Sequence, residues 1–357
     1  MSRKVAAVDY KLLGPVKAYA AGGRADLLSA HRLRPRHRLL LAALLLAGGQ
    51  RVGTARLIEL MWGIDQSPED PENALHHYAS KLRATLRIAE PGWKDPLPPA
   101  ADGYRIDMKP QQVDAFRFRN LTAQARARSG IDDGEAVRLW RLALAEWSPH
   151  RSGLYGPEPL AGLPGQWADN RRTILGEEHR DAVIGCLDAE LRLGQHQRLL
   201  TELAALEAED GDDDEDLKRI GMLAYYRLNR PAEALSAFQR LEQSLKRSGR
   251  EPSRSLRILE SRIRQRDPGL DHIDGAGPSA ALAVQANRSA MAWTSRPVRL
   301  ASTSRAWSSA AGSTGYSGRG IAITARPAAA AERTPLAESS TAAQRSGRWP
   351  SWRATAR

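Results

Sequence analysis

Only one cysteine, Cys186, occurs in the 357 residues, which excludes an intrachain disulfide and a thiolate zinc site. It lies within an apolar helical pattern and reads as core, not nucleophile. Long apolar runs are also missing. The longest, Leu39–Ala47, has nine residues, against the ~20 that a membrane-spanning helix needs. The N-terminal run behind Arg3 and Lys4 ends at Asp9, too short for a signal peptide, so a cytoplasmic protein with no membrane partner is expected. No HExxH, GxSxG or GxxxxGK[ST] motif is present, and the eight histidines are scattered. Neither an enzyme nor a cofactor is expected, and no metal site. His76 and His77 are adjacent instead of four apart, so they do not converge on a metal. The acidic run Glu209–Asp216 has Asp210, Asp212 and Asp214 at calcium-loop spacing. It places Glu215 where the turn glycine belongs and Gly221 where the bidentate glutamate belongs. It reads as a solvated loop.

What is present is an uneven charge. The net charge is +12. Residues 1–110 hold 17 basic and 11 acidic side chains, residues 111–268 hold 25 and 26, and residues 269–357 hold 11 and 4. A basic head on a near-neutral middle is the electrostatic footprint of a nucleic-acid reader with a protein-facing second part.

Within the head, Asp70–Arg87 organises the rest. Leu75, Tyr78, Ala79, Leu82 and Leu86 follow the spacing of a helix buried along one stripe. The other face carries Asn73, His76, His77, Ser80, Lys81, Ala84 and Arg87, with no acid after Glu72. An apolar back and a donor-rich front suit a DNA major groove. Before it, Tyr10–Leu27 predicts short strands around a Gly22-Gly23 turn. A helix over Arg36–Ala47 follows, with Pro35 at its start and Gly48-Gly49 at its end. Thr54 is the expected N-cap of a helix over Thr54–Met61. After a Pro-rich stretch, Gly103–Asp107 predicts a returning strand. Pro96, Pro98 and Pro99 disfavour a regular first wing strand around Trp93 and Lys94. Strands, three helices and a terminal strand pair predict a winged helix-turn-helix.

The middle is helical throughout: Asp114–Arg126, Gly134–Trp147, Trp167–Arg192, then a repeat. Leu193–Leu206 aligns with Leu228–Leu241 at an offset of 35 residues, the period of a tetratricopeptide-type array. Gly194 and Asn229 occupy the turn, and Ser253–Arg266 is a capping helix. Residues 269–357 turn to Ala, Ser, Gly, Arg and Thr, with Trp293, Trp307, Trp349 and Trp352; this composition predicts a disordered basic tail. The expected class is mainly α: a winged-helix domain at 1–110, tetratricopeptide-like repeats at 111–268, and the tail.

PRHRLLLAALLLAGGQRVGTARLIELMWG, NALHHYASKLRATL and GYRID together resemble the winged-helix domain of OmpR-type regulators. More narrowly, they are similar to the Streptomyces antibiotic regulatory protein family, actinobacterial activators of secondary-metabolite gene clusters. VDAFRF, LWRLALAEW, GPEPLAGL, and the paired LGQHQRLLTELAAL and LNRPAEALSAFQRL are similar to that family's bacterial transcriptional activation domain. The resemblance spans about residues 10–268. It implies an activator that binds repeated promoter sites in double-stranded DNA, as a dimer or side by side, and contacts RNA polymerase. It maps the recognition helix onto Asn73–Leu86. Asn73, His76, His77, Ser80, Lys81 and Ala84 are then the expected base contacts. Arg36, Arg38, Thr54, Arg56, Arg83, Arg87 and Arg105 are the expected phosphate contacts. The alternative is a repeat-based adaptor with only non-specific nucleic-acid affinity, which a specificity ratio of roughly 10³ would separate from an activator.

Overall fold

A computed structural model describes residues 8–20, 22–63, 67–89, 95–100, 102–147, 156–210 and 213–271. Residues 272–357, and with them the tail's four tryptophans, lie outside the described residues, as do Trp93, Lys94 and Asp212.

The chain opens with an antiparallel hairpin of β1 (Asp9–Lys11) and β2 (Lys17–Tyr19). Its reversal runs through Gly14 and Pro15, not through Gly22-Gly23 as local composition suggests. Partners about 100 and 150 residues away decide this. The Asp114 carboxylate accepts from the Leu12 and Leu13 N–H groups, and Leu160 N–H donates to the Leu12 carbonyl. Gly23 N–H instead donates to the Ala20 carbonyl, and Asp26 caps the short helix α1 (Leu27–Ala30) through the Leu28 and Ser29 N–H groups.

Helix α2 (Pro35–Leu46) starts on proline and is buried from Leu39 to Leu46, which makes it the central post of the head. Helix α3 (Thr54–Trp62) crosses it. Gly53, not Thr54, occupies the N-cap, and no side chain bonds there. Helix α4 (Pro71–Ala89) begins where Asp70 accepts from the Asn73 N–H, with Glu72 in its first turn and Arg87 in its last, as the helix dipole favours. The wing pairs β3 (Pro99–Ala100) with β4 (Gly103–Tyr104). Tyr104 also exchanges two backbone hydrogen bonds with Val52 in the α2–α3 loop, at 2.9 and 3.0 Å. Both strands are shorter than the expected Gly103–Asp107 because the partner segment is proline-rich and cannot donate.

Among the described residues, seven further α-helices follow: α5 (Asp114–Arg128), α6 (Asp133–Ala145), α7 (Gln166–Arg192), α8 (His196–Asp210), α9 (Glu215–Arg227), α10 (Pro231–Arg247) and α11 (Arg254–Arg264). The repeat is visible at the level of single bonds. Gly194 (φ +76°) and Asn229 (φ +57°) take the left-handed turn position. Behind them, Gln195 N–H donates to the Glu190 carbonyl and Arg230 N–H to the Tyr225 carbonyl, a closure repeated at the same 35-residue offset. Leu203, Leu206, Phe238 and Leu241 are buried, whereas Leu193 stays exposed as the C-cap of α7.

Val8 to Ala224 form one continuous apolar core, so the hairpin, the four head helices α1–α4 and α5–α9 pack as a unit. A second cluster joins α9–α11 to Leu270. The chain therefore stays packed to Leu270, where the Leu270 carbonyl accepts from Arg227. Cys186 is fully buried and its thiol is pushed up to about 12 by burial. Asp214 caps α9 and holds Arg180 at 2.8 and 2.9 Å, so that member of the acidic run is structural. Among the described residues, no helix is long and apolar enough to cross a membrane.

The α6–α7 contact depends on Gly185, where an added Cβ would lie 2.6 Å from the Trp140 ring. Trp140 is itself buried and cannot swing away. Gly185→Ala should therefore cost about 1–3 kcal/mol by overpacking, seen as a lower midpoint in chemical denaturation. An unchanged midpoint would refute this packing.

Candidate nucleic-acid interface

Helix α4 divides cleanly. Leu75, Ala79, Leu82, Thr85 and Leu86 are buried, and the half-buried Tyr78 meets His37 edge-on at 4.7 Å and Trp62 at 6.1 Å. Thr85 is compatible with burial because its hydroxyl donates to the Lys81 carbonyl at 3.1 Å. Asn73, His76, His77, Ser80, Lys81 and Ala84 are all exposed, so the six expected base contacts share the outward side. Burial, followed by the nearby Lys81, lowers the pKa of His37 beneath this face, which keeps that ring neutral.

The expected phosphate-contacting arginines separate into two groups. Arg56, Arg87 and Arg105 are exposed. Arg56 pairs with Glu59 at 2.6 Å, and Arg87 lies 3.9 Å from Asp95. Arg36, Arg38 and Arg83 turn inward. Arg36 donates to the Met61 carbonyl at 2.7 Å and stacks over Trp62. Arg38 donates to the Val16 carbonyl and the Ser29 hydroxyl and pairs with Asp26 at 3.4 Å. Arg83 donates to Asp95 at 3.1 Å and to the Leu97 carbonyl at 2.9 Å, fastening the base of the wing to α4. Thr54 is half-buried as the first residue of α3.

Three features have no local sequence signal. Exposed Arg51 donates to the Asp102 carbonyl at 3.2 Å, tying the α2–α3 loop to the wing tip. Asp95 gathers Arg83 and the Leu97 N–H. The Tyr104 hydroxyl lies 3.4 Å from His76 Nδ1, joining the wing to the exposed face of α4. Each pairs residues that are 12 or more positions apart or depends on a loop's exact course. Among the described residues, no group of three or more His, Cys, Asp or Glu side chains is placed to hold a metal. The surface thus offers donors and positive charge on the exposed side of α4 and around a small wing.

Residues 113–264 match the family described as bacterial transcriptional activator domain. The regulatory protein AfsR of Streptomyces coelicolor is 34% identical over 281 residues, which are 78% of this chain and 26% of AfsR. The chain therefore spans about a quarter of that relative's length. The regulatory protein DnrI of Streptomyces peucetius is 29% identical over 284 residues, covering 77% of this chain and 98% of DnrI. The solved structure of Mycobacterium tuberculosis EmbR, in complex with a low affinity phosphopeptide, aligns with a TM-score of 0.68 at 25% identity, covering 80% of this chain and 71% of EmbR. The winged head, the helical array behind it and these likenesses agree: the chain is similar in sequence and fold to the Streptomyces antibiotic regulatory proteins and carries their bacterial transcriptional activator domain at residues 113–264.

Proposed function

We propose that the protein is a sequence-specific DNA-binding transcriptional activator of a secondary-metabolite gene cluster. In this reading α4 enters the major groove of short promoter repeats, and the helical array contacts RNA polymerase. The supporting observation is the division of α4, whose outward side carries Asn73, His76, His77, Ser80, Lys81 and Ala84 with no carboxylate after Glu72. Arg56, Arg87, Arg105 and Arg51 are exposed around it and suit phosphates. Thr54 stands at the start of α3, where backbone N–H groups and the helix dipole favour an anion. Arg36, Arg38 and Arg83 act through the frame they brace. The reading also places the protein in the cytoplasm.

Genomic-fragment selection with the full chain tests this reading. Promoters bearing short direct repeats should be enriched. Lys81→Ala and Asn73→Ala should each cut specific affinity by roughly 5- to 100-fold, with non-specific affinity nearly unchanged. Arg105→Ala should weaken both alike and flatten the log–log salt dependence by about 0.9. Enrichment of no motif would favour the adaptor reading.

A further inference from the structure

The wing and the reading side of α4 come within hydrogen-bond distance where the Tyr104 hydroxyl stands 3.4 Å from His76 Nδ1. The two partners differ in freedom. Tyr104 lies between Val52, with which it exchanges two backbone bonds, and Pro99, its partner across the wing. Its ring is half-buried, and burial raises its pKa, so the proton stays on the phenol oxygen. His76 is an exposed side chain on a helix. An imidazole in that position samples several rotamers and two neutral tautomers unless a fixed neighbour selects among them.

Tyr104 is such a neighbour. A phenol donates more strongly than it accepts, and the unprotonated imidazole nitrogen is a good acceptor, so the bond runs from the Tyr104 O–H to His76 Nδ1. The ring proton of neutral His76 then resides on Nε2, on the ring edge away from the tyrosine. In the major groove, guanine presents two adjacent acceptors, N7 and O6, whereas adenine places its N6 donor beside N7. A lone N–H donor is best matched by guanine.

We propose that Tyr104 is a positioning residue that locks His76 as its Nε2–H tautomer, and that His76 so held reads a guanine in each DNA repeat. This rests on the reading of α4 as the DNA-reading helix. It adds a base identity and assigns the wing a part in specificity that does not require touching DNA.

The test uses the full chain and the motif it enriches from genomic fragments. Tyr104→Phe should relax preference at one G·C pair per repeat by about 3- to 10-fold. His76→Ala should relax the same pair, and the double variant should be no worse than His76→Ala alone. Replacing that guanine with 7-deazaguanine should weaken the wild-type protein by a similar factor, weaken Tyr104→Phe less and leave His76→Ala unaffected. Imidazole ¹⁵N shifts should report the Nε2–H tautomer at His76 in the wild-type protein and a mixture in Tyr104→Phe. The deaza substitution and the wild-type spectrum need no variant to fold. The lock is overturned if Tyr104→Phe keeps full preference at the enriched motif, if the two variants' losses multiply, or if the wild-type ring carries its proton on Nδ1. If the wild-type chain enriches no motif, the reading of α4 falls, and this inference with it.

Discussion

Replacing Gly103 with alanine should detach the wing from the α2–α3 loop. Gly103 has φ +132°, in the left-handed region, and a Cβ there would lie 2.1 Å from the Val52 carbonyl oxygen and 2.8 Å from Gly53 Cα. Both obstacles are backbone, so no rotamer change relieves them. Separation would break the two hydrogen bonds between Val52 and Tyr104. Strain and lost pairing together should cost about 3–5 kcal/mol. Hydrogen exchange resolves where the cost falls: the Val52 and Tyr104 amides should lose protection while those of α9 and α10 keep theirs. DNA affinity should fall with the wing, specific binding more than non-specific, because Tyr104 and the phosphate-facing Arg51 and Arg105 all depend on its position. Retained protection at Val52 would contradict this account of the glycine.

Asp114→Ala should destabilise the whole unit by about 3–5 kcal/mol, because it strands the buried N–H groups of Leu12 and Leu13 without an acceptor. The carboxyl is 1% exposed, and burial pushes it up to about 6 despite the backbone donors of Leu12, Leu13 and Ala115 that favour its charged form. Its ordinary value is 3.8. A carboxyl raised by folding adds stability that is complete below its unfolded value and disappears as the pH rises through the folded one. The wild-type protein's margin over Asp114→Asn should therefore shrink between about pH 4 and about pH 6, by up to about 3 kcal/mol, and stay level from there to about pH 8. Urea denaturation of both proteins across that range measures it. A margin that widens toward pH 8 would mean that the three N–H donors outweigh desolvation.

Two parts of the molecule are legible in the amino acids alone because their signal is periodic and local. The stripe of Leu75, Ala79, Leu82 and Leu86 sets which side of α4 is buried and leaves Asn73, His76, His77, Ser80, Lys81 and Ala84 outside. The 35-residue offset carries the turn residues Gly194 and Asn229 with it, and both take the same left-handed conformation. Helix α10 starts on Pro231, a residue suited to that position, directly after the Asn229 turn.

The rest depended on partners that are distant along the chain. Charge and helix-end position make Arg36, Arg38 and Arg83 look like phosphate contacts, yet the carbonyls of Met61, Val16 and Leu97 take them. A guanidinium has five donors, and a buried carbonyl without a partner is costly, so whichever acceptors the fold brings near will bind it. The first hairpin turns at Gly14-Pro15 because Asp114 and Leu160 bond its backbone, although Gly22-Gly23 is the better local turn. Periodicity and composition thus determined the long helices, their buried sides and the repeat, but not the short α1, whose Asp26 cap also bonds Ala18 N–H and Arg38. Only the tertiary structure decided which arginines face outward, that the head and the helical array share a core, and that Tyr104 reaches His76, because such pairings depend on proximity in space, and residue order alone does not contain it.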